Sequence, residues 1–182
     1  MSNARAIADI VQSGSIVGAG KILQVKQTQF TGTNTISCSS NTDTVLTDLT
    51  VDITPTSTSS IIKIEAMVNG EWTSATSNYN SPWFFYRDST KLAASNAGNR
   101  NAGILMSTGI SIYTSDAGSS PEMAFYSYFD TPSTTSQVTY KVGVNQAQAS
   151  TQTWHLNKTV VDTDNNNYER GVSYICVTEI AN

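Results

Sequence analysis

From Lys21 onward the chain alternates apolar and polar residues with a period of two, the spacing of a half-buried strand. Leu49, Val51 and Ile53 alternate up to Pro55. Ile62, Ile64, Ala66 and Val68 do so up to Asn69-Gly70, a dipeptide that favours hairpin turns. Met123, Phe125, Ser127 and Phe129 make one face of a further strand, with Tyr126 and Tyr128 on the other. Val138, Tyr140, Val142 and Val144 alternate again, as do Val172, Tyr174, Cys176, Thr178 and Ile180. Weaker strands are expected at 22–28, 82–87, 109–113 and 153–156. Eight or nine strands punctuated by Ser, Asn, Gly and Pro, with no second helical pattern, predict an all-β fold. The architecture expected over residues 21–182 is an antiparallel two-sheet sandwich of jelly-roll type. In the last strand Ile175 and Val177 oppose Tyr174 and Cys176, so both faces are apolar. Such a strand belongs at the centre of its sheet or beneath a neighbouring subunit.

The first twenty residues follow a different rule. Ala6, Ile7, Ile10 and Val11 recur at helical spacing behind a cap at Ser2 or Asn3, and Gly14 would end that pattern. Three helical turns are not stable alone in water, so the segment needs a surface to pack on. Gly14, Gly18 and Gly20 read as a hinge. Residues 1–20 are therefore expected to be a short helical or extended attachment segment, with Ala6, Ile7, Ile10 and Val11 as its contact residues. Two other segments, 73–81 and 92–108, are long and weakly patterned, which in a compact domain marks function or an interface. Asn99, Arg100 and Asn101 sit in the second.

Composition narrows the function. Charged residues are 13% of the 182, about half of the roughly 25% usual in globular chains, and Ser, Thr and Asn together make up about a third. A net charge of −4 argues against nucleic-acid binding, which needs clustered Lys and Arg. No run reaches the roughly 20 apolar residues of a membrane helix, so no membrane insertion is expected. MSNARAIADIVQSG carries Asp9 inside its apolar stretch and lacks a signal-peptide core, so a soluble product outside the usual export route is expected. Cys38 and Cys176 are too few for a disulfide scaffold, and Cys176 reads as an inert thiol within an apolar run.

Motifs for catalysis are weak. His155 is the only histidine, which excludes a multi-histidine zinc site and leaves one conventional general base. No G-x-S-x-G elbow accompanies it, and in Trp154-His155-Leu156 it faces away from its two apolar neighbours. The run Gly14-Ser15-Ile16-Val17-Gly18-Ala19-Gly20-Lys21 fails as a phosphate loop, because Ser15 stands at the first glycine and Ile22 at the Ser/Thr position. Asp162, Asp164 and Asn166 match half of an EF-hand loop, but Asn167 replaces its glycine and Ser173 its bidentate glutamate. An Asx-rich turn is the better reading, with weak calcium binding as the alternative. Asn157-Lys158-Thr159 matches a glycosylation acceptor and is assigned no role. No catalytic residue, metal or cofactor is expected. Aromatic residues remain: Trp72, Tyr79, Trp83, Phe84, Phe85 and Tyr86 fall within fifteen positions. Alternation sends Trp83 and Phe85 to one face and Phe84 and Tyr86 to the other. Trp72, Tyr79, Trp83 and Tyr86 are the candidates for glycan or interface contact.

Two stretches carry a family resemblance. Ser59-Ser60-Ile61-Ile62-Lys63-Ile64 through Phe85-Tyr86-Arg87-Asp88-Ser89-Thr90 is one. The other runs from Thr153-Trp154-His155-Leu156-Asn157 through Asp162-Thr163-Asp164 and Tyr168-Glu169-Arg170-Gly171-Val172-Ser173 to Thr178-Glu179-Ile180. Together they resemble the small β-rich virion proteins of marine tailed bacteriophages, the tail-fibre-like and head-fibre proteins, in a pattern of strands and turns over roughly residues 21–181. The resemblance implies a trimeric jelly-roll body on a phage particle, attached through its N-terminus and in contact with other virion proteins of capsid or tail. It supplies no functional residues. The expected function is that of a non-enzymatic fibre, knob or decoration subunit, with host-surface polysaccharide as a further partner. A carbohydrate-binding module and a capsid-stabilising cement protein are the alternatives, and a polysaccharide hydrolase based on His155 is the weakest.

Overall fold

The computed structural model describes residues 20–95, 98–109 and 118–182. In chain order the strands are β1 (Ile22–Phe30), β2 (Asn34–Cys38), β3 (Asp43–Ile53), β4 (Ile61–Trp72) and β5 (Trp83–Arg87). They continue with β6 (Thr90–Leu92), β7 (Glu122–Asp130), β8 (Val138–Asn145), β9 (Gln152–Leu156) and β10 (Ser173–Ile180). Among the described residues the one helical element is a 3₁₀ turn, Ala75–Asn80, between β4 and β5.

The strands pair antiparallel from the outside inward: β1 with β10, β2 with β9, β3 with β8, β4 with β7 and β5 with β6. The chain is thus one long ribbon of nested strand pairs. Three further antiparallel pairings, β10–β4, β4–β9 and β5–β8, roll the ribbon into a sandwich. One sheet has the order β1-β10-β4-β7, with β9 and β2 added beyond the upper part of β4; the other has the order β3-β8-β5-β6. This is a jelly roll with the β2–β9 pair as an extra turn of the ribbon. As expected from its two apolar faces, β10 lies inside its sheet, between β1 and β4.

The core is the space between the sheets. Ile62, Ile64, Ala66 and Val68 of β4, Ile175 and Val177 of β10, and Ala124 and Tyr126 of β7 share one buried cluster. It also takes in Leu46, Leu49, Val51 and Ile53 of β3, alternate residues of β8, and Trp83 and Phe85 of β5. Tyr126 stacks on Phe85 with centroids 4.5 Å apart and donates its hydroxyl proton to the Phe84 carbonyl at 3.0 Å. At one end Trp154 meets both Trp72 and Trp83 edge-on, each at 5.3 Å.

Several features depart from the sequence-based expectation. Asn69-Gly70 is not a turn: β4 runs through it to Trp72. A Cβ at Gly70 would collide with the His155 carbonyl oxygen and lie 2.6 Å from Trp154 Cζ2, so glycine is there to let β9 and its indole approach. β3 begins at Asp43, well before Leu49, because a register shift between Leu46 and Thr50 breaks the alternation that would have revealed its first half. β2 and β6 are too short and polar to register as strands. Of the expected strand at 109–113, Gly109 is outside regular structure and the rest lies outside the described residues.

Candidate functional site

Two surfaces stand out once the sandwich is closed. The first is a polar cleft at the end of the β3-β8-β5-β6 sheet where β3 begins, β8 ends and β5 begins. Antiparallel register places Asp43 opposite Asn145 and Trp83 opposite Val144, so these three strand ends lie side by side. Both long, weakly patterned segments converge there. A cleft of about 330 Å³ is lined by Tyr79 and Asn80 from one, by Arg100, Asn101 and Met106 from the other, and by Pro82 just before β5. It shares Arg100 and Asn101 with an adjoining cleft of about 470 Å³ that reaches Asn41, Asp43, Lys91 and Asn145.

A hydrogen-bond network fixes the floor of this cleft. The Asn145 amide donates to Asp43 at 2.8 Å, and the Lys91 ammonium lies 2.9 Å from the same carboxylate. The Asn101 amide donates to the carbonyl oxygens of Asn145 and Asn41, at 3.3 and 3.4 Å. Tyr86 donates its hydroxyl to Asp43 at 3.2 Å. Burial alone would raise the Asp43 carboxyl, but the hydrogen bond from Asn145 and the Lys91 ammonium outweigh it and hold the group below the usual carboxylate range. Tyr86 moves the opposite way: burial, and then the Asp43 charge, raise its phenol. Lys91 is further held 3.8 Å above the Phe84 ring, a cation–π contact. Phe84 is itself fully buried, because Gly143 opposite leaves the space that its ring occupies.

The second surface is the outer face of β1-β10-β4-β7. Its rows read Val25, Thr178, Lys63, Phe129, then Gln27, Cys176, Glu65, Ser127, then Gln29, Tyr174, Met67, Phe125. Lys63 and Glu65 pair with each other at 3.0 Å, and the Tyr174 hydroxyl donates to Glu65 at 3.3 Å. The apolar side chains around them stay in solvent: Val25, Phe125 and Phe129 are 53%, 51% and 60% exposed.

The structure sorts the residues singled out in the sequence. Of the four glycan or interface candidates, Trp72 and Trp83 are fully buried in the core and reach neither surface, because both lie on inward-facing positions of β4 and β5. Tyr79 is exposed in the cleft, and Tyr86 supports the cleft through Asp43. Ala6, Ile7, Ile10 and Val11 lie outside the described residues. His155 Nε2 is 3.1 Å from the Thr73 hydroxyl, but its Nδ1 is buried with no partner among the described residues. Among the described residues no carboxylate hydrogen-bonds the ring, and burial with Lys158 nearby lowers its pKa. Asp162 is held by a two-pronged pair with Arg170, at 2.9 and 2.8 Å. A cation at this turn would have to displace that guanidinium, and no cluster of three or more metal-ligating side chains occurs among the described residues. Both cysteines are free thiols, and burial raises Cys38 to about 11. Among the described residues no helix is long and apolar enough to cross a membrane.

Asn41, Asp43 and Asn145 carry no signal in the sequence; only strand register brings them together. Asn101 was flagged solely by its place in a long loop. Comparison with protein-family models and with curated proteins finds no match to this chain.

Proposed function

We propose that this chain is a non-enzymatic structural subunit of a bacteriophage particle. In this reading it is a fibre, knob or decoration protein that joins the particle through residues 1–20 and displays its jelly-roll body as a homotrimer at the virion surface. The resemblance in strand and turn pattern supports the setting. The observation that carries the mode of action is the outer face of β1-β10-β4-β7. Among the described residues, nine large apolar side chains are exposed, and six of them (Ile22, Leu23, Val25, Met123, Phe125 and Phe129) lie on the two strands that border this sheet.

Four strands about 4.8 Å apart and some nine residues long present roughly 600 Å² in projection. That area, part apolar and part polar, approaches the roughly 800 Å² per partner of a standard interface. The charged pair on the face is already matched internally, so a second copy could cover it without leaving a lone buried charge. Low overall charge suits a part packed many times over.

Light scattering on the full chain should give a trimer, and Phe125→Ser with Phe129→Ser should give a folded monomer. Both side chains lie in solvent on the single chain, so the variant should still unfold cooperatively, with its melting temperature lowered only by the loss of subunit contacts. The chain lacking residues 1–14 should remain folded and fail to enter the particle. A full-length monomer at high concentration, or normal incorporation of the truncated chain, overturns the reading.

A further inference from the structure

The cleft plays no part in self-association through the outer sheet face, and its chemistry matches a different partner. A sugar hydroxyl is donor and acceptor at once, and a side-chain amide offers both in one plane. Asn41, Asn80, Asn101 and Asn145 supply four such amides around the two joined clefts. Asn101 donates its amide protons to Asn41 and Asn145, which leaves its carbonyl oxygen as an acceptor.

Asp43 and Lys91 balance each other on the cleft floor, and Arg100 adds a guanidinium whose planar fork of donors suits ring hydroxyls. A purely apolar ligand fits poorly, because it would strip water from these amides without replacing the hydrogen bonds. The first cleft also carries an apolar part: Tyr79 is 61% and Met106 84% exposed, and Pro82 lines the cleft with them. Polar edges for hydroxyls and an exposed ring for an apolar face are the two halves of a pyranose surface. Both volumes fall within the roughly 300–1,000 Å³ of small-molecule sites, and the two clefts adjoin at Arg100 and Asn101, which line both. The network is hydrogen-bonded before any ligand arrives, which lowers the ordering cost of binding.

We propose that this cleft binds an oligosaccharide, with Tyr79 as the stacking platform and Asn41 and Asn101 as hydroxyl partners above the floor that Asp43 and Asn145 fix. The test is an array of neutral and acidic oligosaccharides probed with the full chain, followed by titration calorimetry with the strongest binder. Tyr79→Ala should weaken binding at least tenfold with the melting temperature unchanged, because its side chain is exposed; Asn101→Ala, which also loses the hydrogen bonds to Asn41 and Asn145, should weaken binding at least tenfold while the body still unfolds cooperatively. Tyr79→Phe, which keeps the ring, should bind within about threefold of the native chain. A blank array overturns the proposal, and so does binding that survives both alanine substitutions. Neither residue lies on the outer sheet face, so light scattering on the same samples separates loss of sugar binding from loss of self-association.

Discussion

Glu122 should make the stability of this protein depend on pH in an unusual direction. Its carboxyl opens β7 in a buried position, opposite Gly70 in the register of β4. Burial pushes its pKa from 4.5 up to about 8; hydrogen bonds from Thr108, Asn78 and the Trp72 backbone oppose that rise, and the neighbouring Glu71 charge adds to it. Glu71 accepts the backbone N–H groups of Ser120 and Val160, at 2.9 and 2.6 Å. A folded pKa above the unfolded one means that the folded state holds a proton that the unfolded state has released. The contribution is complete below about 4.5 and is lost as pH climbs towards 8. At 1.36 kcal/mol per unit, the loss between pH 5 and 7.5 is about 3 kcal/mol, or roughly 6–12 °C in melting temperature for a chain of this length. His155 works against this, since its lowered pKa adds stability as pH rises through the range below 6.5. The comparison must therefore be between the native chain and Glu122→Gln, which keeps the shape and cannot ionise. Urea unfolding at pH 5 and 7.5 should show the variant gaining about 3 kcal/mol relative to the native chain between the two conditions. An equal offset at both pH values would refute the reasoning, because Glu122 would then be ionised, or solvated, throughout.

Two further substitutions test the packing. Gly70→Ala should cost about 3 kcal/mol or more, since its Cβ meets a backbone oxygen and an indole that cannot move aside independently; a melting temperature within 2 °C of the native chain would contradict the close β4–β9 approach. Asp130 accepts the Arg87 guanidinium through both oxygens at 2.8 Å and the Tyr140 hydroxyl at 2.7 Å. Asp130→Ala should cost about 2–4 kcal/mol, somewhat below the value for a wholly buried pair because Arg87 is 23% exposed. Urea titration checks it, and a loss under 1 kcal/mol would make the pair dispensable.

Alternation along Ile62 to Val68, Val138 to Val144 and Tyr174 to Ile180 is enough to identify three of the interior strands and the all-β class. Period-two patterning follows from burial of one face, a local property of the strand that persists whatever its partner. It also separated Met123, Phe125 and Phe129 from Tyr126, but it could not say which set lies inside. That depends on Tyr126 stacking on Phe85, and no one strand encodes such a contact. Asn69-Gly70 misled for the same reason: glycine permits a turn and also permits close approach, and only Trp154 from β9 selects between them. The Trp72–Tyr86 cluster was visible as composition, yet its two tryptophans went to the core and only its tyrosines to the cleft.

Fold class, the positions of the strongly alternating strands and the inward place of β10 are thus consequences of the linear pattern, because each rests on side-chain periodicity within single strands. The cleft belongs to the tertiary structure alone. Asn41, Asp43, Asn101 and Asn145 span a hundred residues of chain, and they meet because nested antiparallel pairing returns the end of β8 to the start of β3. Register between distant strands is set by the whole core at once, and that is why no local reading of the sequence could have assembled them.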